Sequence, residues 1–89
     1  MKRKEIMRFL LQQQGNNMIL DLEGIISGII EIESLKITRK KRYLFLNNIG
    51  LNLNQLMRIS MVNKNEILLE FDQLQNVKIK ITKAKSTLL

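Results

Sequence analysis

The sequence predicts a mainly β domain, in which a short N-terminal helix precedes a small antiparallel barrel of five to six strands. Apolar residues recur at helical spacing only near the start of the chain, and they recur at a period of two from Met18 to Ile81. Clusters of Gly, Asn and Asp interrupt the second pattern often enough for tight turns. The 89 residues suffice for one domain. We expect it to occupy residues 1–82, with a flexible tail at 83–89.

The predicted helix covers residues 3–14, approximately. Ile6, Phe9 and Leu10 fall on one face of such a helix, and basic residues fall on the other. Gly15 followed by Asn16 supplies the left-handed residue that commonly ends a helix. A lone helix of about three turns needs packing to persist, so we expect it to cover an open end of the barrel.

Two strands should follow the helix. The alternation in Met18–Leu22 predicts the first strand, and Gly24 allows a turn after it. Gly28 lies inside the next apolar run, Ile26–Ile32, where it predicts a bulge or bend that curls the strand. After Ser34 the apolar positions shift by one residue, which predicts a bulge there because the strand would otherwise expose its core face.

The middle of the chain predicts a hairpin. Thr38–Arg42 is too polar for a core and should form the loop, with Tyr43–Leu46 as the return strand. Asn47–Gly50 should stop that strand, and Leu51–Asn54 fits either an extended segment or a short turn of helix. Alternating apolar positions predict three further strands, which are Met57–Met61, Ile67–Phe71 and Val77–Ile81.

The composition argues against catalysis. The chain has no His and no Cys, so it lacks the usual acid–base group at neutral pH, the usual activator of nucleophiles and the commonest metal ligands. Its carboxylates show no paired arrangement and fall on the polar positions of predicted strands. We therefore predict a non-enzymatic protein without a metal site or a cofactor.

The charge is unevenly distributed. The net charge is +7, and residues 36–42 hold five of the fifteen basic residues with no acidic one among them. Residues 9–35 hold no basic residue and four acidic ones. A basic excess on a small domain favours polyanionic partners, and nucleic acid is the first candidate.

The basic hairpin is the predicted binding site. Arginine offers a rigid fork of donors to phosphate oxygens, and lysine adds a point charge. Tyr43 follows the loop directly, where an exposed ring could stack on a base. Two alternatives stay open: the loop is a solvated turn without function, and Tyr43 and Phe45 are packing residues. The predicted nucleic-acid-binding residues are Lys36, Arg39, Lys40, Lys41, Arg42 and Tyr43.

Residues 6–32 resemble the opening of the Sm-like family, which includes the bacterial Hfq proteins. The features that carry this resemblance are Phe9-Leu10, Gly15, the strand Met18–Leu22, Gly24 and Gly28. The resemblance implies a small SH3-like barrel, a ring-shaped homo-oligomer and RNA in preference to DNA. The positions where the family contacts RNA fall near Ser34 and Thr38 and do not match, so the family's RNA-binding residues do not carry over to this chain.

The alternative to nucleic-acid binding is protein–protein assembly. A small barrel can join a larger complex by adding an edge strand to a partner's sheet, or by docking its acidic flank against a basic end. We expect no membrane partner, because the longest apolar run, Ile25–Ile30, is far too short to span a bilayer. The expected location is the cytoplasm or another soluble intracellular compartment.

Overall fold

A computed structural model describes residues 3–82 and shows one N-terminal helix followed by eight strands. The mainly β class with a helix at the start is thereby confirmed, although the strands outnumber the five or six that the pattern predicts. The predicted tail at 83–89 lies outside the described residues. The elements are α1 (Arg3–Leu11), β1 (Asn17–Glu23), β2 (Gly28–Ile32), β3 (Ile37–Lys40), β4 (Tyr43–Leu46), β5 (Ile49–Asn52), a 3-10 helix (Leu53–Gln55), β6 (Leu56–Asn63), β7 (Glu66–Phe71) and β8 (Gln75–Thr82).

Helix α1 buries its apolar face. Ile6 and Leu10 are completely buried in the core, and Met7 and Phe9 pack against it. The helix ends at Leu11, earlier than predicted, and residues 12–15 continue as turns up to Gly15, which has a φ of +87°. Within residues 3–82 no helix is long and apolar enough to cross a bilayer.

Five strands form one antiparallel sheet in the order β2-β1-β8-β7-β6. The register places Leu20 opposite Ile79, and Ile79 opposite Ile67, so three fully buried side chains lie side by side across the middle of the sheet. The alternation predicted along β1, β7 and β8 is confirmed here, because a period of two sends every second side chain to the same face.

Three short strands form a second antiparallel sheet in the order β3-β4-β5. Leu44, Leu46 and Leu51 are its buried residues and join the same core as the five-stranded sheet. Each of the three strands has only four residues, and two-residue turns connect them.

The two sheets do not form the closed barrel that the sequence pattern predicts. The chain bends between β2 and β3, where Ser34 adopts a φ of +54° and its backbone N–H donates to the Asn17 side chain at 3.0 Å. The shift in apolar phase after Ser34 therefore marks the end of one strand and the start of another, and not a bulge. Strands β3 to β5 pair with one another through local turns, so β3 has no ladder with β2.

Three smaller predictions also need correction. Ile49 and Gly50, predicted to stop β4, belong to β5, and the turn consists of Asn47 and Asn48. The segment Leu51–Asn54 contains both an extended part and a helical turn, the two alternatives predicted for it, because β5 ends at Asn52 and a 3-10 helix begins at Leu53. Gly28 begins β2 rather than bending it.

Candidate nucleic-acid interface

The basic cluster lies on the β3–β4 hairpin. Lys40 pairs with Tyr43 at the end of the ladder, so Lys41 and Arg42 form a two-residue turn at its tip. Lys41 adopts a φ of +55°, a left-handed conformation that is unfavourable for a residue with a side chain. The predicted basic loop is thus a tight hairpin tip, shorter than the Thr38–Arg42 loop that the sequence suggested.

Backbone hydrogen bonds fix the hairpin at both ends. At the tip, the backbone N–H of Leu53 donates to the carbonyl oxygen of Arg42 at 2.8 Å. At the base, the backbone N–H of Asn47 donates to the Lys36 carbonyl oxygen, and the Lys36 N–H donates to the Asn47 side-chain oxygen, both at 2.8 Å. The cationic side chains therefore project from a backbone whose position is set by its neighbours.

The end of α1 is attached to the start of this hairpin. The Gly15 N–H donates to the Leu35 carbonyl oxygen at 2.9 Å, and the Leu35 N–H donates to the Asn16 carbonyl oxygen at 2.8 Å. The Ile37 N–H donates to the side-chain oxygen of Gln14 at 3.1 Å. These three bonds hold the helix beside β3.

Strand alternation divides the predicted site between two faces of the hairpin. Arg39 pairs with the buried Leu44 and shares its face, whereas Lys40 and Tyr43 share the opposite face. Lys36 is exposed and precedes β3 at the base of the hairpin. The six predicted residues therefore do not converge on one point, and the hairpin presents charge in two directions.

On the Arg39 side, the hairpin and α1 enclose a groove of about 650 Å³, which we call the helix groove. Three basic side chains and an apolar stretch of helix contribute to it, and none of its described lining residues is Asp or Glu. Its lining residues are Lys4, Met7, Arg8, Leu11, Gln12 and Arg39. A groove with cationic walls and no carboxylate suits an anionic ligand that also carries apolar surface.

Sequence reasoning missed Lys4 and Arg8. The spacing of Lys4 and Arg8 could have shown that they lie together, because residues four apart lie on the same face of a helix. This face is opposite the buried Ile6 and Leu10, so Lys4 and Arg8 had to be exposed; that they meet Arg39 depends on how the helix packs, which the spacing does not reveal.

One hydrogen bond orients the Arg39 guanidinium, and its other N–H groups have no acceptor among the described residues. Its Nε donates to the carbonyl oxygen of Lys41 at 2.9 Å, across the turn. No other described residue accepts a hydrogen bond from it, so its four terminal N–H groups are available to a ligand. The ion pairs Arg58–Glu70 and Lys78–Glu66 involve neither the hairpin nor the helix groove.

On the other side of the hairpin, Tyr43 and Phe45 lie with ring centroids 6.1 Å apart and planes inclined by 34°. Phe45 is half-buried above Gly50, where a Cβ atom would approach the ring to 2.9 Å. Tyr43 is more open, with 41% of its surface exposed. Tyr43 is also one of the residues that line a second groove, between the two sheets.

Comparisons of the chain with protein-family models, with curated proteins and with solved structures found no match. Among residues 3–82, no three Asp or Glu side chains gather into a group that could hold a metal ion. The assignment of a function therefore depends on the geometry and charge of the two grooves.

Proposed function

We propose that this protein is a non-enzymatic nucleic-acid-binding domain that holds phosphates with basic side chains of α1 and of both faces of the β3–β4 hairpin. We define the basic surface as Lys4, Arg8, Lys36, Arg39, Lys40, Lys41 and Arg42. The helix groove is the observation that supports the proposal most strongly, because two cations of α1 and one of the hairpin line it together and its described lining residues include no carboxylate.

The chemistry of the basic surface suits a phosphate backbone. Arginine guanidinium groups bind phosphate oxygens in pairs, and the terminal N–H groups of Arg39 have no described acceptor. A strand of nucleic acid repeats its charge at short intervals, so it can contact the helix side and the hairpin tip together. Release of its counterions then contributes to the affinity.

An anionic membrane is a poorer candidate for the same surface. A helix that lies on a membrane buries its apolar face among the acyl chains. Ile6 and Leu10 of α1 are instead completely buried in the protein core. Met7 and Leu11 line the helix groove, and Phe9, the aromatic residue of α1, packs against the core.

The direct test is a quadruple change of Arg39, Lys40, Lys41 and Arg42 to Ser. We expect affinity for a single-stranded RNA 12-mer to fall strongly, and the salt slope of binding to decrease by about 0.7 for each phosphate that the variant no longer neutralises. Binding is measured by fluorescence anisotropy over a series of salt concentrations. Folding should be retained, since the four side chains are exposed.

The matched control removes four charges elsewhere by changing Arg58, Lys64, Lys78 and Lys80 to Ser. These residues lie on β6, β8 and the turn before β7. Equal losses in the two quadruple variants would show that binding depends on net charge alone, and unchanged affinity in both would refute the proposal. A further measurement with anionic vesicles in place of RNA separates a membrane partner from nucleic acid.

We place RNA ahead of DNA because of the Sm-like resemblance of residues 6–32. The comparison uses RNA and DNA 12-mers of one sequence at the same salt concentration. Tighter binding of the RNA would support the preference for RNA over DNA. Equal affinities would refute this preference without refuting the binding of nucleic acid by the basic surface.

Protein–protein assembly is the second candidate, and the edges of the five-stranded sheet favour it. Strand β2 is one edge, its ladder with β1 is regular, and Ile29 on it is 69% exposed. Strand β6 is the other edge, and its register shifts at Met57 and Val62 interrupt it. Because such irregularities protect an edge from pairing, β2 is the better docking edge.

A homo-oligomer that forms through β2 should dissociate on the change Ile29→Lys. Light scattering of both proteins at high concentration tests this. A wild-type monomer would rule out self-assembly through this edge.

A further inference from the structure

The second groove lies between the two sheets and has a volume of about 500 Å³. Leu51 and Val77 of the core line it, together with Leu22 and Phe71, which are partly buried and pack against the core. Tyr43 also lines this second groove, which we therefore call the tyrosine groove. It exists because the sheets do not close into a barrel and leave the core accessible at this end.

The exposed apolar side chains of the β1–β2 loop form one wall. Ile25 and Ile26 are 70% and 63% exposed, yet they line a groove rather than stand alone on the surface. The Gln75 side chain holds this loop in place: its oxygen accepts from the Ile26 N–H at 2.8 Å, and its nitrogen lies 2.9 Å from the Ile26 carbonyl oxygen. The wall is therefore preformed, as is usual for ligand sites.

The polar groups of the tyrosine groove are mainly neutral amides. Asn52, Gln55 and Gln73 line it, and no described residue bonds the side chains of Gln55 and Gln73. Asp72 is the one charged lining residue that the structure describes. A phosphate would meet apolar walls and a carboxylate here, whereas a flat uncharged ring would find stacking surface and both donors and acceptors of hydrogen bonds.

We propose that the tyrosine groove binds an unpaired nucleobase of a strand whose phosphates lie on the basic surface; this inference rests on the proposed function. Lys40 and Tyr43 face each other in the ladder, and Arg42 precedes Tyr43. Facing residues have Cα atoms about 5 Å apart, so a phosphate on Lys40 or Arg42 lies within one nucleotide of the ring. A base paired inside a duplex cannot enter the groove, and the site selects single strands.

Tyr43 is the only Tyr and the chain has no Trp, so its fluorescence reports directly on the tyrosine groove. The experiment titrates the wild-type protein with a single-stranded 12-mer, the corresponding duplex and an abasic DNA 12-mer with the same phosphates. N-acetyltyrosinamide corrects for light absorbed by the oligonucleotides. Anisotropy of a labelled strand measures total binding under the same conditions.

We expect the single strand to quench Tyr43 at the same concentrations at which anisotropy reports binding. The abasic strand should bind about tenfold to a hundredfold more weakly and should not quench, because it has no base to stack on the aromatic ring. Equal quenching by the abasic strand would overturn the inference, as would equal affinities for the single strand and the duplex. Binding of none of the three would refute the proposed function as well.

The variant Ile26→Ser tests the opposite wall, with Val62→Ser on β6 as its control. Both side chains are branched and exposed, at 63% and 52%, and Val62 lies outside the groove. We expect Ile26→Ser to lower single-strand affinity with an unchanged salt slope, and Val62→Ser to have no effect. Unchanged affinity in Ile26→Ser would overturn the inference. A lower mass of the free protein in that variant, without quenching of the wild type, would assign the groove to a second copy instead.

Discussion

Gly24 should be the glycine least tolerant of substitution, because it is constrained in two independent ways. Its φ is +132°, a backbone conformation that residues with side chains rarely adopt. A Cβ atom built on it would also lie 2.0 Å from the carbonyl oxygen of Leu74 and 3.0 Å from the Cα atom of Gln75. The neighbours are backbone atoms, so they cannot rotate away as a flexible side chain could.

The magnitude follows from adding the two costs for Gly24→Ala. The unfavourable φ costs about 1–2 kcal/mol of unfolding free energy. Forcing a methyl group into a packed region costs about 1–3 kcal/mol more, so the expected loss is about 2–5 kcal/mol. For a domain of this size, the melting temperature falls by about 4–8 °C per kcal/mol, so the variant should melt about 8–40 °C lower.

Gly28→Ala separates the two costs. Gly28 has a similar φ of +146°, but a Cβ atom there would meet nothing within 4 Å. This variant should lose only the backbone part, about 1–2 kcal/mol, and the gain from a less flexible unfolded chain is common to both variants. Gly28 is thus constrained by its backbone conformation at the start of β2, and not by the bend that the sequence predicted there. Chemical denaturation followed by circular dichroism measures both, and equal losses in the two variants would show that the close approach of Leu74 to Gly24 is absent.

Two further changes test how the groove wall is held and where the backbone is strained. Gln75→Ala removes the side chain that bonds Ile26 and should cost about 0.5–1.5 kcal/mol, the net contribution of a typical hydrogen bond, because water can reach the exposed groups of the loop; hydrogen exchange at the Ile26 amide should accelerate, and unchanged exchange would show that Gln75 does not hold the loop. Leu74 is 87% exposed with a φ of +59°, so Leu74→Gly should stabilise the protein by about 0.5–1 kcal/mol despite the removal of a large side chain. A thermal melt measures that gain, and a clear decrease in stability would mean that the Leu74 side chain packs against the protein in solution.

The strands could be predicted from the sequence where one face of the sheet is buried and the opposite face is exposed. Met18 and Leu20 on β1, and Val77, Ile79 and Ile81 on β8, are all buried as their alternation predicts. The same reasoning fails at Ile25 and Ile26, which look like core residues in the sequence and line an open groove instead. Periodicity records which side chains share a face, but it does not record whether another sheet covers that face.

Strand pairing and the sites that depend on it could not be predicted in the same way. The helix groove forms only if Lys4 and Arg39 lie along the same groove. The tyrosine groove likewise depends on Tyr43, Ile26 and Gln73 lining one groove. These contacts join distant parts of the chain through sheet order, on which local propensity has no bearing. The basic run at 36–42 could be recognised in the sequence because its residues are contiguous. The residues that line grooves together with it lie far away in the sequence and could not be recognised.

The position of β8 in the sheet has a consequence for how the protein folds. β8 lies between β1 and β7, and its ladder with β1 pairs Asn17 with Thr82, across most of the chain. Contacts that distant in sequence slow folding, because a long loop must close before they form. During synthesis, β1 has its β2 partner early but lacks its other neighbour until β8 has been made. Among residues 3–82, the strand that is synthesised last is the one that joins β1 to β7, so the five-stranded sheet stays incomplete until nearly all of these residues are available.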